Sequence, residues 1–322
     1  MRGNAVSVFS NGHLLPVSQR EEVFEYFEYS RIVVEAGVVV AKKEHSGRNW
    51  SQNIPAMNIS VLLLGPGCSI SSESMELLAA ANVVVGFTGG GGTPLNAIED
   101  VAFVTGVSEY RPTVYMQAWA EMWFNEQRRM LCARRLLRMR VEAISHFWAD
   151  SGTDFFKWVQ VSKAQRMGNS LVPRDAYANN LTGSTTEELL GKEGAHVRNL
   201  YAFHKMMCNV SKDFVRDSSD RSGLNALLTM GNYLAYGLSA SALHALGVSF
   251  SFPLLHGKTR RGALVFDIAD IAKDAIVVPA AFSCFYERGD DRSYFRSYIK
   301  DIFCEKKVLS YLVDRVKELS EM

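Results

Sequence analysis

The spacing of apolar residues changes once along this chain, near Arg111-Pro112, and that change constrains the fold to a β-rich segment followed by an α-helical one. Before it, Arg31 to Val40 mixes β-branched residues with a central glycine, and Asn58 to Leu64 is a strand closed by Gly65-Pro66-Gly67. Ser71 or Ser72 is placed to cap a short helix over Glu73–Ala81, ended by Asn82, and Val83–Val85 resumes strand. Gly89 to Gly92, with Pro94 close behind, reads as a loop. After the change, Tyr115–Asp150 carries Trp119, Trp123, Leu131, Leu136, Leu137, Ile144 and Trp148 at helical spacing. Further helices are expected over Thr186–Cys208, Gly223–Leu246, Asp267–Phe282 with a kink near Pro279, and Lys306–Glu321. The expected fold class is α+β, with a β-rich domain over residues 1–105 and an α-helical domain over 106–322.

A length of 322 residues suits two domains, and a formal charge of +1 neither demands nor excludes nucleic acid, so a local basic face would have to bind it. The cysteines, Cys68, Cys132, Cys208, Cys284 and Cys304, are scattered without a CxxC pair, which argues against a disulfide framework or zinc site and fits a reducing cytoplasm. The first residues lack the continuous apolar run of a signal peptide, and no uncharged apolar stretch reaches membrane-spanning length. A cytoplasmic location and no membrane contact are expected.

Two tempting motifs fail on chemistry. Gly257-Lys258-Thr259 ends like a phosphate-binding loop, but Phe252 stands where the motif needs its first glycine. Glu193 and His196 make one E-x-x-H, and the second one that a di-iron bundle requires is absent. His196 reads as a polar face residue or a neighbour supporting Glu193, His13 and His45 as solvated, and His204 and His244 as structural. The arginines 128, 129, 134, 135, 138 and 140 fall on one expected helix. They form either a solvated face or a phosphate-binding stripe, for which Arg128, Arg134, Arg135 and Arg138, with Arg198, are the DNA-binding candidates.

Chemistry concentrates in two segments. Glu193 interrupts an apolar helical stretch, where a carboxylate is costly unless it binds a cation, either a metal ion or a buried partner such as Arg198. His256 precedes the apolar run Ala263–Phe266, which ends at Asp267 with Asp270 three residues on, on one side of a helical turn. Asp267 reads as a ligand or as an N-cap, and Asp270 as a ligand or a solvated first-turn acid. Three carboxylates and one imidazole suit Mg²⁺ or Mn²⁺ better than zinc.

Taken in order, Glu193-Gly194, the run Asn225 to Gly237, Leu255-His256 and Asp267-x-x-Asp270 closely resemble the CRISPR adaptation integrases, the Cas one family, over nearly the whole chain. Leu64 to Ile70 and Gly86 to Pro94 look like its type I-F branch, as does Arg260-Arg261, where many relatives have a proline-containing approach. The resemblance implies an α-helical catalytic domain, a homodimer, and metal ligands at Glu193, His256, Asp267 and Asp270, the second aspartate being the more reliable. It implies attack by a 3′-hydroxyl of a captured fragment on a phosphodiester at a CRISPR repeat; water in its place gives an endonuclease. The implied partners are double-stranded DNA and a second adaptation protein fused to a helicase-nuclease. A non-integrating metal nuclease and a catalytically inactive DNA-binding scaffold are the competing readings.

Overall fold

The computed structural model describes residues 24–45, 48–87, 102–104, 113–149, 185–257 and 262–322; the Gly89–Pro94 loop and Arg260-Arg261 lie outside the described residues. The architecture is α+β, and the chain divides into two compact units, Met1–Glu109 and Tyr110–Met322.

In the first unit, β1 (Phe24–Phe27), β5 (Val61–Leu64), β7 (Val84–Phe87) and β8 (Ala102–Val104) form one sheet in that spatial order. β5 is parallel to both its neighbours, and its four residues, Val-Leu-Leu-Leu, are all buried. A strand flanked by parallel partners is covered on both faces, which is why it is continuously apolar rather than alternating. The second sheet runs β4 (Arg48–Ile54), β3 (Val38–His45), β2 (Arg31–Glu35) and β6 (Ser69–Ile70). The stretch Arg31 to Val40 is therefore a hairpin: Ala36 and Gly37 both take positive φ, 49° and 80°, as the tight turn that matches strand twist requires. Helix α1 (Ser72–Ala80) starts at Ser71, whose hydroxyl accepts the Ser74 N–H at 3.2 Å. Its Leu78 joins Ile32, Val39, Ile54, Leu62 and Val85 in the core.

In the second unit, the helical stretch expected over Tyr115–Asp150 is two helices, α2 (Val114–Phe124) and α3 (Glu126–Ala149). Asn125 breaks it with extended backbone, and its side chain accepts the Arg128 N–H at 3.1 Å, so a polar side chain competes with the helix for a backbone donor. Next come α4 (Thr186–Met207) and α5 (Gly223–Ala245), the latter buried over most of its length. At Gly231 an added Cβ would lie 2.5 Å from Val277, so only glycine permits that approach.

The helix expected over Asp267–Phe282 is longer at both ends and has three parts: α6 (Ala263–Ala272), π-helical turns at Lys273–Val277, and α7 (Val278–Arg288). Pro279 has no N–H for the Ala275 carbonyl four residues back. The indole of Trp148, on α3, donates to that carbonyl instead, at 2.7 Å. The distortion thus lies just before the proline, and its freed acceptor is satisfied in the core. α8 (Arg292–Glu305), capped by Asp291, adds a helix to those expected; α9 (Val308–Ser320) lies within the expected final helix.

Candidate active site

The site is assembled from α3, α4, α6, the π segment and the loop carrying His256. That loop is fastened from two sides. From α2, Trp119 donates to the Phe252 carbonyl at 3.1 Å and Trp123 to the Pro253 carbonyl at 2.8 Å. From α6, buried Asp267 accepts the backbone N–H groups of Leu254 at 2.6 Å, Leu255 at 3.2 Å and His256 at 3.1 Å. Its Oδ1 also takes the imidazole Nδ1 of His256 at 2.6 Å. Asp267 is thus neither an N-cap of its own helix nor a bare carboxylate, and both of its oxygens are committed to the loop. With Nδ1 donating to Asp267, it is Nε2 that carries the lone pair of the neutral His256 ring. Burial alone would lower the His256 pKa; the hydrogen bond to Asp267 and the charges of Asp270, Asp267 and Glu193 raise it above its ordinary value.

The other three carboxylates gather on one arginine. Arg140 is 2% exposed; its Nε donates to Asp274 at 2.7 Å, its Nη1 donates to Glu193 at 2.5 Å, and Nη1 lies 3.6 Å from Asp270. Burial disfavours this cation, but Asp274, Asp270 and Glu193 hold its pKa well above the usual guanidinium value. Asp270 also accepts from Lys273. Burial would raise the Asp270 pKa; Lys273, Arg140 and His256 bring it below the usual carboxylate range. Asp274 is likewise held down, against its burial, by Arg140 and by His196, whose Nε2 lies 3.5 Å away.

Glu193, His256 and Asp270 therefore meet in one electrostatic unit, while Asp267 belongs to it as an anchor. The cation facing Glu193 is Arg140, one of the six helix arginines, and Arg198 is exposed. Arg140 is legible in the sequence as an exception: it lies on the α3 face of Ala133, Leu136, Leu137, Ile144 and Phe147, all buried. Asp274 is an addition to the expected set, although it follows Asp270 by one helical repeat. The remaining arginines divide. Arg128 pairs with Glu121 at 3.0 Å and the Met322 carbonyl at 3.3 Å, and Arg134 bonds its own helix at Met130. Arg135 is clamped by Glu142 and Glu318, each at 2.6 Å, and Arg138 is exposed.

Donor chemistry fits a hard divalent ion: two carboxylates with an oriented imidazole nitrogen. Among the described residues no three such side chains are drawn together into a metal cage, because Glu193 and Asp270 are turned onto Arg140 and Lys273.

The family model described as CRISPR associated protein Cas1 matches residues 28–318. The chain belongs to the Cas1 family. It is 36% identical over 318 residues to a CRISPR-associated endonuclease Cas1 of Pseudomonas aeruginosa, covering 94% of each chain. Its fold resembles that of a TtCas1–DNA complex, with TM-score 0.67 and 24% identity over 92% of this chain and 91% of that one. A casposase bound to its integration product shares the fold with TM-score 0.63 and 17% identity over 81% of this chain and 72% of the other. Among the described residues no helix is long and apolar enough to cross a membrane.

Proposed function

We propose that the chain is a metal-dependent DNA integrase and endonuclease, which inserts captured fragments into a repeat array. The observation that carries this reading is the meeting of Glu193 and Asp270 on one buried arginine, beside a histidine whose ring is locked by Asp267. Acids are expensive to bury, and clusters of perturbed carboxylates concentrate at functional sites. Glu193, Asp270 and the Nε2 of His256 would hold Mg²⁺ or Mn²⁺. When bound, such an ion polarises the scissile phosphodiester and stabilises the attacking and leaving oxygens. Asp267 is the positioning residue that fixes the His256 tautomer, and Arg140 with Asp274 orients Glu193.

DNA phosphates are bound chiefly by exposed Arg138 and Arg198, with Arg134; Arg128 and Arg135 spend their charge on acids of the same chain. The DNA complex and the integration product held by proteins of this fold support the same reading. Double-stranded DNA, a second copy of the chain and a second adaptation protein fused to a helicase-nuclease are the proposed partners.

The test is strand transfer. A labelled duplex with free 3′-hydroxyls is incubated with a repeat-containing plasmid, the chain, its partner protein and Mn²⁺. The expected product is the branched junction, lost with chelator and with His256→Ala. Cutting without joining would leave a nuclease only, and joining that survives chelation would sink the metal-dependent reading.

A further inference from the structure

Among the described residues the site holds four carboxylates, Asp267, Asp270, Asp274 and Glu193, and two permanent cations, Arg140 and Lys273. Asp267 is answered by the His256 loop, so Asp270, Asp274 and Glu193 are the acids that share these two cations. The two resident cations are held unequally. Arg140 is 2% exposed and tied by two nitrogens to Asp274 and Glu193, so it cannot leave without stranding both acids. Lys273 pairs with a single carboxylate among the described residues, through Asp270 Oδ1, and its side chain is 22% exposed. While paired with Asp270, its ammonium also stands 5.5 Å from the ring centroid of Tyr236. An ammonium on a single flexible stem, with one carboxylate partner among the described residues, is the member of the pair that can exchange.

We propose that Lys273 is an exchangeable counter-cation: it occupies Asp270 Oδ1 in the metal-free chain and competes with a divalent ion for that oxygen, so that it sets the metal affinity of the site. Arg140 is the fixed counter-cation and does not exchange. This inference rests on the metal-site reading above and adds a regulator to it.

The competition is measured by titrating Mn²⁺ into the metal-free full chain and following free Mn²⁺ by electron paramagnetic resonance, with folding checked by circular dichroism. Lys273→Met should bind Mn²⁺ about tenfold more tightly than the wild type, because a unit charge a few ångströms from the ion has been removed. Lys273→Arg, which keeps a cation, should stay within about threefold of the wild type. Glu193→Ala should lose the binding, which locates it at the site. A folded Lys273→Met with unchanged or weaker affinity overturns the proposal. Should that variant be too unstable for the titration, thermal melts decide: saturating Mn²⁺ must raise its melting temperature more than that of the wild type, and an equal or smaller rise overturns the proposal. A wild type that binds no Mn²⁺ overturns the metal-site reading as well, an outcome distinct from tight wild-type binding that Lys273→Met fails to improve.

Discussion

Asp267 and Asp270 lie three residues apart on one helix and are both buried, yet they are compensated in opposite ways. Asp267 is met by dipoles: three backbone N–H groups and an imidazole, all from the loop it fastens. Asp270 is met by charges, Lys273 and Arg140, the second of which Glu193 and Asp274 also use. A carboxylate held by backbone donors is part of the scaffold, because moving it would release a loop. A carboxylate held by a flexible ammonium can change partners. The difference teaches that spacing assigns residues to a face, while the kind of partner assigns them a role.

The strongest way to break this comparison is to remove the shared charge. Arg140→Gln leaves Glu193, Asp270 and Asp274 without their buried cation and should cost about 3–5 kcal/mol in the metal-free chain, measured by urea denaturation. Added Mg²⁺ should recover part of that loss. A loss below about 1 kcal/mol would show that water, not Arg140, compensates these acids.

Asp267→Ala comes next. It strands backbone donors of the His256 loop and should cost about 2–3 kcal/mol by the same measurement. Here Mg²⁺ should recover nothing, because the missing partner is a scaffold anion. Rescue of this variant by Mg²⁺ equal to that of Arg140→Gln would erase the distinction between the two acids.

A histidine in apolar surroundings sharpens the comparison from the other side. His204 sits among Trp148, Phe203 and Phe282 with ring centroids 5.1 to 5.6 Å away, and burial pushes its pKa down to about 3. A depressed folded pKa means that the unfolded chain binds the proton first. The stability His204 contributes is therefore present above about pH 6.5 and is lost as pH falls toward 3. At pH 5 that loss is about 2 kcal/mol, and His204→Phe should remove it, flattening the decline of stability between pH 7 and 5. His256, with its raised pKa, contributes with the opposite sign: its share is present below about pH 6.5 and fades as pH rises through its folded value. An unchanged pH profile in His204→Phe would show that another group governs the decline.

The smallest effect on the fold belongs to charge left in water. Arg138→Ala with Arg198→Ala should shift stability by no more than about 0.5 kcal/mol, while lowering the salt slope of DNA binding by ~0.9 for each phosphate no longer engaged. Arg135→Ala, whose charge Glu142 and Glu318 already use, should leave the slope as it was. The reverse pattern would return Arg135 to the DNA face.

The β-to-α change and the two segments bearing Glu193, His256 and the aspartate pair are legible in the sequence, because periodicity and chemistry leave local marks. The break at Asn125 is hidden there, since the apolar stripes of α2 and α3 read as one. α8 escapes the expected set although Phe295, Ile299, Ile302 and Phe303 repeat at helical spacing behind Asp291. Within the site, charge density groups Arg140 with the surface arginines, whereas its role depends on which face of α3 turns inward. The commitment of Asp267 to three amides belongs to a loop that starts thirteen residues earlier, and no spacing rule reports a pairing of that kind.

The π-helical turns at Lys273–Val277 have a consequence for how this helix tolerates length changes. Such turns amount to one residue spliced into an α-helix. Deleting one residue there would heal the hydrogen-bond ladder, yet swing everything after it by about 100° around the axis. Ala281, Phe282 and Cys284, now inside, would be turned from their places, and the Ala275 carbonyl would part from Trp148. The irregular stretch therefore works as a phase adjuster, letting one continuous rod present acids to the site with one half and an apolar face to α5 with the other.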